Sequence, residues 1–144
     1  MKKFLFSLFI FLCFNINSAF AIINEQYECD ISYYNNVNFK GLETGNLDNV
    51  EHQMHVTFYA DTKNKNFYNS EKNKIENVEF NNNEILVNWN SNEIPRFCFL
   101  IDRNSNSIKF KAFYIMPPKV VGNHIIPQAT VKSNGNGTYL IKKI

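Results

Sequence analysis

The residues here whose types invite chemistry are three histidines, a few closely spaced acids and three cysteines. His52 and His55 stand three apart in a stretch that alternates apolar and polar side chains. On a strand an odd spacing sends the two imidazoles to opposite faces, so they do not share a metal. His124 lies far along the chain. A metal centre takes three or four protein ligands, and no third ligand stands at a telling distance. Glu76 and Glu79 repeat the odd spacing, which separates two carboxylates that acid–base chemistry would need together. Asp102-Arg103 reads as a local ion pair at a strand end. There is no Gly-x-Ser-x-Gly elbow, and five glycines form no phosphate-cradling loop. The residues therefore point away from catalysis, and neither cofactor nor metal is expected.

The cysteines raise a different question. Cys13 lies in an N-terminal apolar run, which leaves Cys29 and Cys98 as a pair. In an oxidising compartment such a pair is expected to form a disulfide. A bridge closing a loop of about 70 residues would stabilise the fold by roughly 4 kcal/mol in the chain-entropy description. The alternative is two unrelated buried thiols. A cysteine nucleophile would need one of the two to be unpaired and beside a histidine.

The elements that must position these groups are strands. Period-two alternation recurs over 26–34, 52–60, 84–90, 96–103 and 107–115, and more weakly over 66–70, 74–80, 125–132 and 138–143. Residues 42–51 are the one short stretch compatible with a helix. Turn chemistry separates the strands at 61–64, 81–83, 90–92 and 104–106, and at Asn134-Gly135-Asn136-Gly137. Asn136-Gly137-Thr138 is formally a glycosylation sequon, but its Asn-Gly content reads as a turn. The expectation is an all-β chain, a small antiparallel barrel or sandwich of about eight strands.

Export is written at the start. Lys2 and Lys3 precede an apolar run from Phe4 to Phe14, then polar residues, then Ala19-Phe20-Ala21. This is the layout of a signal peptide over 1–21, cut after Ala21. The apolar run is too short for a membrane span, which needs about 20 residues. A single β domain is expected over 22–144. The style of the leader is bacterial, which implies a periplasmic or secreted product. Without Lys2 and Lys3, basic and acidic residues balance at 13 each. That balance argues against a nucleic-acid partner. All 13 acids lie before residue 103, and residues 103–144 carry seven bases. In one β domain such halves are expected to interleave and neutralise each other.

The least ordinary segment is 114–127, apolar yet broken by Pro117, Pro118 and Pro127. Apolar loops most often fold back on a core, which would bury Val120, Val121, Ile125 and Ile126. The competing reading is an exposed contact for a protein, glycan or lipidic partner, carried by Tyr114, Met116, Val120, Val121 and His124. The functional expectation is thus an exported, non-catalytic β binding module. The alternatives are a structural envelope or assembly component, and a small periplasmic hydrolase with a histidine near a carboxylate in a cleft.

Overall fold

The computed structural model describes residues 22–41, 46–47 by backbone alone, 50–90, 92 and 94–144. The expected signal peptide over 1–21, with its cut after Ala21, lies outside the described residues. The described chain is all β: β1 (Glu25–Phe39), β2 (Asn46–Leu47), β3 (His52–Asp61), β4 (Asn66–Tyr68), β5 (Val78–Phe80), β6 (Glu84–Trp89), β7 (Arg96–Asp102), β8 (Ser107–Met116), β9 (Lys119–Val121), β10 (His124–Ile126) and β11 (Ala129–Lys143). In the 42–51 segment, the described residues 46–47 form β2 rather than a helix.

Eight strands make one antiparallel sheet in the order β4-β3-β1-β11-β8-β7-β6-β5, with β2 beside the upper part of β1. The sheet curls into a nearly closed barrel. Its two ends meet through 74–78. The Ile75 amide donates to the Phe67 carbonyl at 2.9 Å on the β4 side. Three residues on, Val78 pairs with Val87 of β6.

Alternation decides what fills the barrel. Tyr27, Cys29 and Ile31 of β1, Phe58 and Ala60 of β3, and Ile108 and Phe110 of β8 turn inward and are buried. Their rings form one unbroken series of contacts. It runs Tyr139–Tyr27–Phe67–Phe58–Phe99–Phe110–Tyr33, with centroids 5.0–5.7 Å apart at each step. Burying each such ring contributes about 2 kcal/mol, and each ring pair about 1 kcal/mol more. The barrel is therefore packed by its own side chains rather than hollow.

Asparagine does the work of turns. Asn81 Oδ1 accepts from the amides of Asn83 and Glu84 at 2.8 and 2.9 Å. Asn69 Oδ1 accepts from Glu71 and Asn73, both at 3.0 Å. A short carboxamide folding onto its own backbone is what these tight loops require.

One expected turn is not a turn. Asn134-Gly135-Asn136-Gly137 lies in the middle of β11, which pairs with β1 over its full fifteen residues. Neither Gly135 nor Gly137 takes a positive φ. Both point inward where β1 passes unusually close. A Cβ on Gly137 would sit 1.9 Å from the Asp30 carbonyl oxygen, and one on Gly135 would sit 2.5 Å from the Ser32 carbonyl oxygen. The glycines permit a tight bend of two long central strands, a known use of glycine inside sheets.

The lower end of the barrel is closed by polar groups. Tyr27 Oη donates to Glu25 Oε2 at 2.8 Å, and Lys143 meets the other Glu25 oxygen. Tyr139 Oη lies against the carbonyls of Asp102 and Ser105. Burial acts to raise the Glu25 carboxyl; the hydrogen bonds from Lys143 and Tyr27 outweigh it, and the group ends below its ordinary value.

Candidate functional site

At the opposite end, β1, β11 and β8 run on together beyond β7. Beyond Arg96–Phe113, the last residues of β8 pair only with β11. Past Met116 the chain continues as β9, turns at Gly122-Asn123 and returns as β10, a two-stranded sheet separate from the barrel. Gly122 takes φ +60° at the first loop position, where a II′ hairpin turn calls for glycine. The pairs are His124–Val121, Ile125–Val120 and Ile126–Lys119. Val120 and Ile125 thus share one face, and Val121 and Ile126 take the other.

Both faces are open. Val120 and Ile125 are each 74% exposed, Val121 56% and Ile126 40%. The expectation that these side chains fold back on the core is overturned. The cause is in the register. Met116 pairs with Ala129, and three residues further on each side Lys119 pairs with Ile126. The arm is the β8–β11 hairpin continued in step, and its direction carries it away from the barrel. Pro118 and Pro127 face each other in the gap, and without amide hydrogens they cannot bridge it.

Of the expected contact residues, Val120, Val121 and His124 lie on this arm and are exposed. Met116 lies at its root, also exposed, and Tyr114 is half-buried on β8 below it. Four of the five lie along β8 and β9, and His124 pairs with Val121 from β10.

The other chemistry-bearing residues are scattered. His52 faces inward and stacks on Tyr33 with centroids 5.3 Å apart. His55 faces outward, so the two histidines do take opposite sides of β3. His55 is held between two acids of β1, with Nδ1 2.7 Å from Asp30 Oδ1 and Nε2 2.7 Å from Glu28 Oε2. Both nitrogens donate only in the imidazolium, so the Asp30 and Glu28 hydrogen bonds raise the His55 pKa. This is the histidine–carboxylate contact that a hydrolase would need. His55 borders an open hollow of about 570 Å³ that Asp30, Met54 and Gly137 also line, and both of its ring nitrogens are engaged, by Asp30 and by Glu28. No group of three potential metal ligands occurs among the described residues.

Cys29 and Cys98 are both free thiols, so the expected bridge is not formed in this structure. Cys29 faces the core from β1. Cys98 sits on β7 between the inward Phe97 and Phe99, so it faces out, and β11 and β8 separate the two strands. Burial pushes the Cys29 thiol up to about 12, helped by the charges of Glu28 and Asp30.

The two halves of the chain interleave in the sheet, where the basic strands β11 and β8 lie between β1 and β7. Across β7, β8 and β11, Cys98–Lys111–Asn134 and Arg96–Phe113–Lys132 form adjacent outward rows. They line an open groove of about 510 Å³. Neutralisation by contact occurs at the closed end, between Lys143 and Glu25.

Comparison with known families, curated proteins and solved structures finds no significant match to the chain.

The arm was signalled in the sequence by the placement of its prolines. Pro117, Pro118 and Pro127 stand on either side of a Gly-Asn turn, which is the pattern of a hairpin cut from its base rather than of a loop.

Proposed function

We propose that this protein is an exported, non-catalytic binding module whose β9–β10 arm engages an extended apolar segment of a partner protein. The observation that carries this reading is the arm itself, a two-stranded sheet with apolar side chains on both faces and, among the described residues, no strand paired to either main-chain edge. An isolated hairpin is marginal in water, and a third strand is what stabilises it. A partner strand supplies both missing terms, main-chain hydrogen bonds along an edge and apolar cover on a face. A bilayer supplies only the second, since hydrocarbon cannot satisfy open edges. The filled barrel leaves the scaffold role to the core. The leader-like 1–21 segment supports delivery to the periplasm or the exterior.

A seven-residue peptide alternating valine and glutamate is a suitable probe, because residues 103–144 contribute bases and no acid. Amide chemical shifts should move in β9 and β10, with newly slowed exchange along one edge, and Ile125→Asp should abolish both changes. Shifts spread over the barrel wall, or binding only to anionic vesicles, would overturn the reading. The same open edges favour a second possibility, an assembly component that pairs arm to arm with its own copy. Concentration-dependent dimers that Ile125→Asp dissolves, without peptide binding, would select that one.

A further inference from the structure

Asp61 ends β3 and is 1% exposed. Its carboxylate accepts from the Asn64 amide at 3.1 Å, from Asn64 Nδ2 at 2.7 Å and from the Ile22 backbone nitrogen at 3.3 Å. All three donors are uncharged. Burial raises the Asp61 carboxyl, and these hydrogen bonds with one from the Lys63 amide bring it below its ordinary value; the site holds a carboxylate, and a cation at the Ile22 nitrogen would add a charge-assisted bond to it. The Ile22 nitrogen is not there by accident of a loose end. Asn24, two residues on, is fixed by four hydrogen bonds: its amide to the Ala60 carbonyl at 3.0 Å, its Nδ2 to Thr62 Oγ1 at 2.7 Å, its Oδ1 from the Thr62 amide at 3.0 Å and its carbonyl from the Ile144 amide at 3.0 Å. These contacts hold the segment against the β3–β4 corner and set where the Ile22 nitrogen lies. Ile22 is also the residue that follows Ala21, the expected cleavage position.

We propose that cutting the Ala21–Ile22 bond places a positive charge on a site already built to receive it: the freed α-ammonium of Ile22 pairs with the buried Asp61 carboxylate. The step is an amide hydrolysis by an export-pathway peptidase. Water adds to the Ala21 carbonyl and the C–N bond breaks. The hydroxyl stays with the new Ala21 carboxyl group. The amine leaves with one proton from water and takes another from solvent, because an α-amine has a pKa near 8. One neutral N–H donor becomes an ammonium with three, and the contact to Asp61 becomes charge-assisted. Processing thereby stabilises the corner that closes β3 onto β4. The inference rests on the export reading above and is independent of the arm.

Two chains made behind a removable tag test it, one starting at Ile22 and one at Ala21. The second keeps every side chain and every backbone donor but moves the ammonium one residue away. The Ile22 form should melt roughly 5 °C higher at pH 7. The gap should vanish when both carry Asp61→Asn. Equal melting of the two unsubstituted forms would overturn the pairing. Should Asp61→Asn fail to fold, α-amine acylation at fixed pH decides: several-fold slower in the Ile22 form supports the ion pair, and equal rates refute it. Intact mass of the full-length chain after export from a bacterial host tests the cut separately. A product of residues 22–144 supports it, and another start site removes the processing half of the inference while leaving the melting comparison to judge Asp61.

Discussion

The sharpest test of the fold is Gly137→Ala. The substitution adds one methyl group at a point where the neighbour is backbone. The new Cβ would lie 1.9 Å from the Asp30 carbonyl oxygen and 2.8 Å from Ile31 Cα, and no side-chain rotation relieves either contact. Strand β1 would have to withdraw by more than 1 Å, a shift that follows from ordinary contact distances of about 3.5 Å. Gly137 pairs with Ile31, at the centre of the longest ladder in the molecule. Overpacking costs about 2 kcal/mol, and one or two weakened ladder hydrogen bonds add about 1 kcal/mol each. A loss of roughly 3–4 kcal/mol is then expected, a large part of the 5–15 kcal/mol typical of a domain. Urea unfolding followed by the fluorescence of Trp89, half-buried on β6, reads it directly. With a slope near 2 kcal/mol/M, the midpoint should fall by roughly 1.5–2 M. Gly122→Ala is the comparison. There the space is open but φ is +60°, so the cost is conformational and about 1 kcal/mol. Asn136→Ala, exposed between the two glycines, should change stability by less than about 0.5 kcal/mol. If Gly137→Ala costs no more than Gly122→Ala, the close approach of β1 and β11 is wrong, and Asn134–Gly137 is a turn after all.

The thiols differ in access. In the native protein a maleimide should label the outward Cys98 and leave Cys29 untouched until unfolding, as the Cys29 pKa near 12 requires; a mature chain with no labelling even in denaturant would reveal a Cys29–Cys98 disulfide. His55 should titrate above its ordinary 6.5, because Asp30 and Glu28 hold the imidazolium. Its folded pKa is raised, so its contribution is complete below pH 6.5 and is lost as pH rises through the folded value. Glu28 is lowered, chiefly by Gln26, so its share is present above 4.5 and lost as pH falls through the folded value. His55→Gln should therefore flatten the stability–pH curve above 6.5, and an NMR midpoint at or below 6.5 would refute the bracketed arrangement. Replacing Pro118 and Pro127 by valine should join β8–β11 to the arm in one ladder. Slowed amide exchange at 118 and 127 would show it, and unchanged exchange would mean that something other than the missing amides divides the hairpin.

The sheet was legible because its information is local. Met54, Val56 and Phe58 against Gln53, His55 and Thr57 state a half-buried strand without reference to anything else, and the structure places Phe58 in the core and His55 outside. The turn expected at Asn134–Gly137 fails through dependence on a distant segment. Asn-Gly twice in four residues is turn chemistry by local rules, and only the backbone of β1, about a hundred residues earlier, makes it a bend. The bridge between Cys29 and Cys98 was inferred from parity and compartment. Whether the two thiols face the same way depends on the phase of each strand. Phase was readable: Cys29 alternates with Tyr27 and Ile31, whereas Cys98 opposes Phe97 and Phe99. Followed through, that alternation alone turns Cys29 inward and Cys98 outward.

The arm shows the same dependence with consequences for function. By composition alone, Val120, Val121, Ile125 and Ile126 belong in a core, and folding back would bury them. They do not fold back because β9 and β10 inherit the register of β8 and β11, and a hairpin in register extends along its own axis. The prolines then matter in two ways. An unbroken, flat, apolar hairpin of this length would be a template for unwanted pairing. Breaking the ladder at Pro117, Pro118 and Pro127 leaves only three pairs in the exposed part, short enough to be unstable without a partner. The exposure of these side chains and the weakness of the element that carries them thus have one origin. A short arm, detached from the barrel's ladder but aimed by its register, suits binding that costs the core nothing.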